Sequence, residues 1–596
     1  MKFYNLATVI ASMGATIALL ISPMSVRVVR AQNNPPERTF MMSPTGLNLL
    51  DTTFVQNVQD LAVGSLTFSR SYVSSDPDSG AYFGRGWTHN FDMKAYYSIT
   101  AGQARSTVIL GRETHVYFGQ PSQNYPSDYE YGTKLTIAGT SMIFTNRDGT
   151  VYTFVPIAGN VNFQTISSIA YANGTVITIT NVSDKPKTIV SNLGYGIVLD
   201  YSGNQVSAAC GFNLAVTYIT TSTTCAGTAL KTSYGYATVA SKTVLQTVTD
   251  VSGNVTTYGY QSTGNGAGIL NCVRDPGSAT CKIANAFRAT FTKKGKVVIS
   301  SQTLADGSTW QFDCTCGDNA ANDPDNLNPD PEGTTVTEPG GAATVTGFNI
   351  GSAQLPTPGV AISFYDEIHR YFPISYDDLP HAMTTPEGYS YQWGYTTNGR
   401  VLSSRTIKAK TGSGLPDLAV ETRTFPTTGC PAYSPFTTLS CNLPLTSTDA
   451  KGNTTTYTYD YTHGGVLTET KAADTNGVQA VVRNSYGQRY AWVKNSGGGY
   501  SQAASPVWLL LETRTCAISA TVGNACSAGA TDEVITTYDY GPNSGPSNLL
   551  LRGVVVTANV PGSPSNPVSL RTCYGYDWQG NKISETKPRA NLTSCQ

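Results

Sequence analysis

The chain has 596 residues, a formal net charge of −1, 13% charged residues, 57 Gly and 35 Tyr. It has no basic stripe, so neither nucleic acid nor an anionic membrane surface has an electrostatic reason to bind it. Long blocks of Ala, Glu, Lys and Leu are missing, and the Gly-, Thr-, Ser- and Tyr-rich composition is that of an all-β extracellular protein.

Residues 1–31 read as a signal peptide. Lys2 supplies a short positive region, 6–21 is apolar or small, and Val29-Arg30-Ala31 places small side chains at the −3 and −1 positions before Gln32. The expected location is therefore secreted or cell surface. No other segment is long and apolar enough to cross a bilayer, so no membrane span is expected after signal removal. Residues 32–50, polar and Pro-containing, read as a flexible mature N-terminus.

Residues 51–130 differ in texture from the rest of the chain. They hold Asp60-Leu61-Ala62-Val63-Gly64-Ser65-Leu66, then Arg70-Ser71-Tyr72, then Phe83-Gly84-Arg85-Gly86-Trp87-Thr88-His89. From 131 to 313 the chain is a series of β-hairpin units. Asn146-Arg147-Asp148-Gly149, Tyr171-Ala172-Asn173-Gly174 and Asp250-Val251-Ser252-Gly253-Asn254 each lead into an alternating strand. The order Asp or Asn, Gly, then alternation is a hairpin signal, because Gly tolerates the positive φ that such turns demand. Residues 314–360 form an acidic, Asn- and Pro-rich insertion. Its 317–333 run has the oxygen donors a Ca²⁺ ion wants but not EF-hand spacing, so a solvated loop is the favoured reading.

Repeats resume over 361–596, and the phrase at 448–477 states them most plainly. Lys451-Gly452-Asn453 is a turn; Thr455, Tyr457, Tyr459 and Tyr461 alternate along a strand; Gly464-Gly465 turns the chain back into Val466-Leu467-Thr468. In each unit an aromatic Tyr is expected to pack across to an aliphatic partner, a pairing that contributes about 0.2–1 kcal/mol. One hairpin is not stable alone in water, so neighbouring units must stack.

The 12 cysteines fall into neighbours: Cys210 and Cys225, Cys272 and Cys281, Cys314 and Cys316, Cys430 and Cys441, Cys516 and Cys526, Cys573 and Cys595. In an exported chain this spacing predicts local disulfides that close loops, with the Cys314/Cys316 pairing left open. No C-x-x-C occurs and no His stands at ligand spacing, so no metal site is expected.

The usual constellations of catalysis are missing: no G-x-S-x-G, no H-E-x-x-H and no Walker A loop. His89, His115, His369, His381 and His463 are scattered, and the acidic pair Asp377-Asp378 beside His369 and His381 reads as loop. Neither an enzyme activity nor a cofactor is expected.

The 51–130 segment, with Arg70, Tyr72, Gly84, Gly86, Trp87 and His89, and the repeat Tyr576-Asp577-Trp578-Gln579-Gly580-Asn581-Lys582-Ile583 resemble the RHS/YD-repeat family. Tyr395-Thr396-Thr397-Asn398-Gly399-Arg400 and Tyr201-Ser202-Gly203-Asn204 are variants of the same repeat. The resemblance implies repeated antiparallel β-hairpins forming a spiralling sheet, an open or partial β-shell, which in some members encloses a C-terminal toxin. This sequence departs from the pattern: no Asp-Pro-rich self-cleavage signature and no variable toxin region come after the repeats. The expected function is thus a non-catalytic secreted scaffold, the shell-forming portion of a polymorphic toxin or surface protein. Its expected partner is a C-terminal toxin cargo. The alternative is a cell-surface module that binds a carbohydrate or protein ligand through exposed aromatics.

Overall fold

The computed structural model describes residues 43, 45–48, 52–74, 82–100, 103–111, 113–118, 133–157, 159–264, 266–288, 297–314, 332–341, 343–350, 359–364, 380–384, 390–396, 401–410, 412–430, 439–560, 563–590 and 592–595. The expected signal peptide, the 317–331 acidic run, Cys316, His369, Asp377 and Asp378 lie outside them. The fold is all-β. Among the described residues the only helical elements are short 3-10 turns.

Four strands of the leading segment make a sheet of their own: β1 (Leu47–Asn48), β2 (Thr53–Val63), β3 (Leu66–Val73) and β4 (Trp87–His89), in that order and antiparallel. In β3 the alternation is strict, with Leu66, Phe68, Arg70 and Tyr72 all buried. The second sheet starts with β5 (Met93–Thr100), β6 (Gln103–Leu110) and β7 (Glu113–Phe118), and with β8 (Lys134–Ala138), β9 (Ser141–Thr145) and β10 (Val151–Ile157). These meet at β11 (Asn160–Ala170). One edge of β11 pairs with β10; on the other edge Phe163–Thr165 pairs with β5, and Ser168–Ala170 pairs with β12 (Val176–Val182). The sheet forks at this strand.

From β12 onward, strand succeeds strand antiparallel to Lys582–Glu585, with one parallel pair between Ala343–Ile350 and Gly359–Phe364. The sheet therefore runs through part of the expected insertion. Glu332–Thr337 and Ala343–Ile350 pair with each other and with the array, as their Thr- and Val-rich sequences favour. Two short hairpins, Trp492–Lys494 with Tyr500–Gln502 and Thr521–Val522 with Ala525–Cys526, stand out of the array, which closes behind them by direct pairing of Gln479–Arg489 with Val507–Cys516 and of the latter with Glu533–Asp539.

The hairpin phrase has a uniform build. In the turn after Asp449, the carboxylate accepts from Lys451 N and Asn453 N at 2.9 Å each and from Asn453 Nδ2 at 2.9 Å, and Gly452 takes φ +82°. Asp250 does the same with Ser252 and Asn254 around Gly253, and Asp577 with Gln579 and Asn581 around Gly580. These donors hold the carboxyls of Asp250, Asp449 and Asp577 below the ordinary range; at Asp577 burial pulls the other way and is outweighed.

The strands differ from simple alternation in one respect. Opposite the step into a tyrosine, the following strand carries one extra residue, a β-bulge, time after time: Ser207 against Tyr201, Gln246 against Tyr236, Asn271 against Tyr260, Ser403 against Tyr395, Leu467 against Tyr459, Leu511 against Tyr486 and Ile583 against Tyr576. Six of these tyrosines face an aliphatic residue, as in Tyr201 opposite Val206, Tyr260 opposite Leu270 and Tyr459 opposite Val466, and Tyr576 faces Lys582. Tyrosine hydroxyls of this set donate back to a carbonyl of an earlier unit: Tyr201 to Pro186 O at 2.7 Å, Tyr260 to Leu245 O at 2.6 Å, Tyr459 to Pro444 O at 2.8 Å and Tyr576 to Leu551 O at 2.6 Å. Bulges bend a strand and increase its twist, so a bulge in each unit is a source of steady curvature.

That curvature brings distant turns together. Asn442 Nδ2 donates to Arg147 O across a separation of 295 residues, Asn192 Nδ2 to Ser505 Oγ across 313, and Asn213 Nδ2 to Trp578 O across 365. Trp508 N also donates to Asn173 O at 2.9 Å, Lys494 N to Leu214 O at 2.7 Å and Gly64 N to Gln579 O at 2.8 Å. Successive hairpin tips of the first winding thus carry successive segments of a second winding. The largest buried cluster, from Leu47 to Val336, fills the space between the leading sheet and the first winding, whereas Leu443, Tyr459 and Val466 form a small separate cluster in the second.

Candidate functional site

Two places gather the chain's unusual side chains: the contact of the leading sheet with the array, and the seam between the windings.

The first is built on a β-bulge. Gln59 pairs with Ser69 and Leu61 with Phe68, so Asp60 is the extra residue of β2 and its side chain is re-aimed inward. Arg70 occupies an inward position of β3 at 1% exposure, where an apolar side chain is the norm. Its Nε contacts both Asp60 oxygens at 2.9 Å, its Nη2 donates to the Tyr258 hydroxyl at 2.8 Å, and its guanidinium lies 4.5 Å from the Trp87 ring centre. Tyr234 donates to Asp60 Oδ2 at 2.8 Å, Thr232 Oγ1 to Asp60 O at 2.9 Å, and Trp87 Nε1 to the Tyr260 hydroxyl at 2.9 Å. Burial works against both charges. It pulls the Asp60 carboxyl up, opposed by Arg70, while on Arg70 burial is the largest single influence and is outweighed by Asp60 together with Tyr258 and Tyr234, which keeps the guanidinium charged. The node ties β2, β3 and β4 to strands Lys231–Val239 and Val255–Tyr260.

The glycines of the motif allow this approach. Gly84 and Gly86 both take φ +77°, and a Cβ at Gly84 would lie 2.7 Å from Thr243 O. His89, 1% exposed, lies among Phe68, Tyr82 and Phe83. Its Nδ1 accepts from Phe91 N at 3.2 Å, which places the ring proton on Nε2, and burial pushes the imidazole down to about 4. His463 repeats the arrangement, accepting from Gly465 N at 3.2 Å with its ring stacked 4.4 Å from Trp508.

Cysteines Cys210 and Cys225, Cys272 and Cys281, Cys430 and Cys441, Cys516 and Cys526, and Cys573 and Cys595 are joined as disulfides. Cys516, Cys526 and Asp532 are the one close grouping of metal-ligand types among the described residues; its sulfurs are consumed by the disulfide, and Asp532 accepts from Ile518 N and Ser519 N. His115 and His381 lie on β7 and on strand Pro380–Thr384, far along the chain from each other.

The second place was not indicated by any motif. A cavity of about 200 Å³ opens at the seam, lined by Gly64 and Ser65 of the β2–β3 turn, by Tyr195 and Asn213 of the first winding, and by Trp492, Ser547, Asn548 and Gly580 of the second. Asn548 is bound on all sides, accepting from Trp492 N at 3.2 Å and donating to Tyr490 O at 2.9 Å and Asn543 O at 3.2 Å. Among the described residues, no charged side chain lines the cavity.

Residues 53–118 match the family described as a domain of unknown function, DUF6531. No curated protein matches the chain. Among solved structures, the crystal structure of TcdB2-TccC3-Cdc42 is similar at 11% identity over 88% of this chain and 26% of that one, with a TM-score of 0.30. The Photorhabdus luminescens Tc holotoxin pore is similar at 12% identity over 88% of this chain and 21% of that one, with a TM-score of 0.31. This chain spans about a quarter of the length of these structures. These superpositions are loose.

Proposed function

We propose that this chain is a non-catalytic, secreted β-repeat scaffold of the RHS/YD type, the shell-forming portion of a polymorphic toxin or of a surface protein. The observation that carries the reading is the stacking of the second winding on the hairpin tips of the first, from Asn442 on Arg147 to Trp578 on Asn213. A sheet that returns on itself in this way is a wall. Disulfides within single loops suit an oxidising compartment outside the cytosol and brace the wall unit by unit. The leading sheet covers one face of the first winding. Strands of the second winding, such as Leu402–Lys408 and Val507–Cys516, are mostly half-buried on both faces, which suits a wall that holds a polypeptide on one side. Among the described residues no helix is long and apolar enough to cross a membrane.

The test is the intact mass of the native protein taken from the culture medium, with peptide sequencing of its N-terminus and of any polypeptide freed on unfolding. A start at Gln32 and a mass above that of residues 32–596, with the excess held until the shell unfolds, is the expected result. A mass equal to residues 32–596, no held polypeptide and saturable binding on a glycan array would move the reading to a surface binding module.

A further inference from the structure

We infer that His463 is an acid-sensitive latch of the seam: protonation at its Nδ1 drives the ring from between Trp508 and Tyr486 and loosens segment 505–508 from the hairpin tip 171–174 of the first winding. The inference deepens the scaffold reading, since it concerns how the wall opens. Its test needs no held polypeptide, so it can fail while that reading stands.

The ring stands between two neighbouring contacts of the seam. His463 is 2% exposed and lies in the turn that joins Thr454–Asp460 to Gly465–Ala473. Its ring is stacked on Trp508 at 4.4 Å and tilted against Tyr486 at 4.8 Å. Trp508 N donates to Asn173 O, and Asn192 Nδ2 donates to Ser505 Oγ at 3.0 Å. Pro506 O approaches the same tip so closely that a Cβ on Gly174 would lie 2.8 Å from it. On the other side Leu439 lies against both Gly464 and the tip glycine Gly149, beside the bond from Asn442 to Arg147 O.

Nδ1 accepts from Gly465 N at 3.2 Å, so the neutral ring carries its proton on Nε2. A second proton has only Nδ1 to go to, and there two N–H donors would face each other. The ring is packed too closely to turn in place, since a Cβ on Gly465 would lie 2.5 Å from its Cε1 and 2.9 Å from Tyr486 Cζ. The charged group that faces the ring is Asp460 of its own turn, whose Oδ2 is 3.5 Å from Nε2. Tyr486 is neutral, its hydroxyl pushed up to about 12 by burial and donating to Val466 O. Trp508 and Leu439 carry no charge, although an indole face attracts a cation. Burial holds the imidazole below its ordinary 6.5, with Asp460 pulling the other way. The latched state thus refuses a proton that the open state accepts. The seam is fully latched above pH 6.5 and loosens as pH falls below it, the open fraction rising by at most about tenfold per pH unit.

The experiment follows amide hydrogen exchange of the full chain from about pH 7.5 to about pH 5.5, corrected for the intrinsic rate at each pH. Protection in 171–176 and 505–510 is expected to fall about 3- to 10-fold in the unsubstituted protein. His463→Asn keeps a side-chain acceptor for Gly465 N, and His463→Phe keeps a ring on Trp508. Neither side chain titrates, so protection in both segments should stay flat across this range in either variant. Peptide 66–73, from the strand paired with that of His89, reports the other buried histidine and should respond alike in all three proteins. A fall that survives both substitutions, or no fall in the unsubstituted protein, would overturn the latch and leave the scaffold reading in place. That reading fails instead on the intact mass and the missing polypeptide.

Discussion

Gly580 of the last repeat stands directly against the hydroxyl of Tyr195, and Gly64 of the first hairpin stands against the same ring. One aromatic side chain of the first winding is therefore held between the leading sheet and the last repeat of the array. Gly580 is also the left-handed residue of its turn, at φ +88°. Gly580→Ala would combine a strained backbone with a collision at Tyr195, and a cost of about 1–3 kcal/mol is expected. Gly452→Ala is the control. It shares the left-handed φ, but a Cβ there meets nothing within 4 Å, so only the backbone cost of about 1 kcal/mol applies. Chemical denaturation of the two variants measures the difference, and equal losses would mean that the seam adds no stability.

The contrast between these glycines explains what was legible in the sequence. The turns around Gly253, Gly452 and Gly580 could be read because everything that makes them is local: an Asp acceptor, two or three donors and a residue free to take positive φ. The Tyr-to-aliphatic pairing could be read for the same reason. The bulge opposite Tyr236 or Tyr459 could not, since register depends on the partner strand as well. Tyr457 and Tyr459 keep their alternation, and it is the return strand that gains a residue, at Leu467. Arg70 was marked by the motif, but Asp60 was not, because only the bulge turns it inward. The seam was the least legible feature. Gly64, Asn213 and Asn548 look like any turn residues, and their meeting depends on curvature summed over hundreds of residues.

The Arg70–Asp60 node leads to a second prediction. Arg70→Met would leave the Asp60 carboxylate buried with Tyr234 as its remaining side-chain donor, and removing one partner of a buried ion pair costs about 3–5 kcal/mol. The double variant Arg70→Met with Asp60→Asn removes both charges and should recover part of that loss. A double-mutant cycle by urea denaturation checks it. Additive losses would mean the two charges do not sense each other.

His89 sets a pH dependence. Its folded value of about 4 is below the ordinary 6.5, so the folded state binds fewer protons than the unfolded chain across that interval. The stability from keeping this ring neutral is complete above pH 6.5 and is lost as pH falls toward 4, about 3 kcal/mol in all. The turn aspartates, whose carboxyls sit below the ordinary 3.8, add their losses at lower pH still. His89→Gln should flatten the stability curve between pH 4 and 6.5, measured as urea midpoints. An unchanged slope would place the titrating group elsewhere.

The tyrosines that stand opposite the bulges provide a prediction about the repeat itself. Tyr459 is 5% exposed and its hydroxyl donates to Pro444 O at 2.8 Å, linking its strand to the preceding unit. Tyr459→Phe keeps the ring opposite Val466 and loses only this bond, leaving a buried carbonyl without that donor; about 1 kcal/mol of destabilisation is expected. Tyr461, two residues on and 51% exposed, offers the comparison, since water replaces whatever its hydroxyl loses and Tyr461→Phe should be neutral. Amide hydrogen exchange localises the effect. If the hydroxyl holds one unit to the next, protection in Tyr459→Phe falls on both sides of the bond, in 446–449 as well as 454–460. A loss confined to the strand of Tyr459 would mean that the backbone pairings alone carry the register between units.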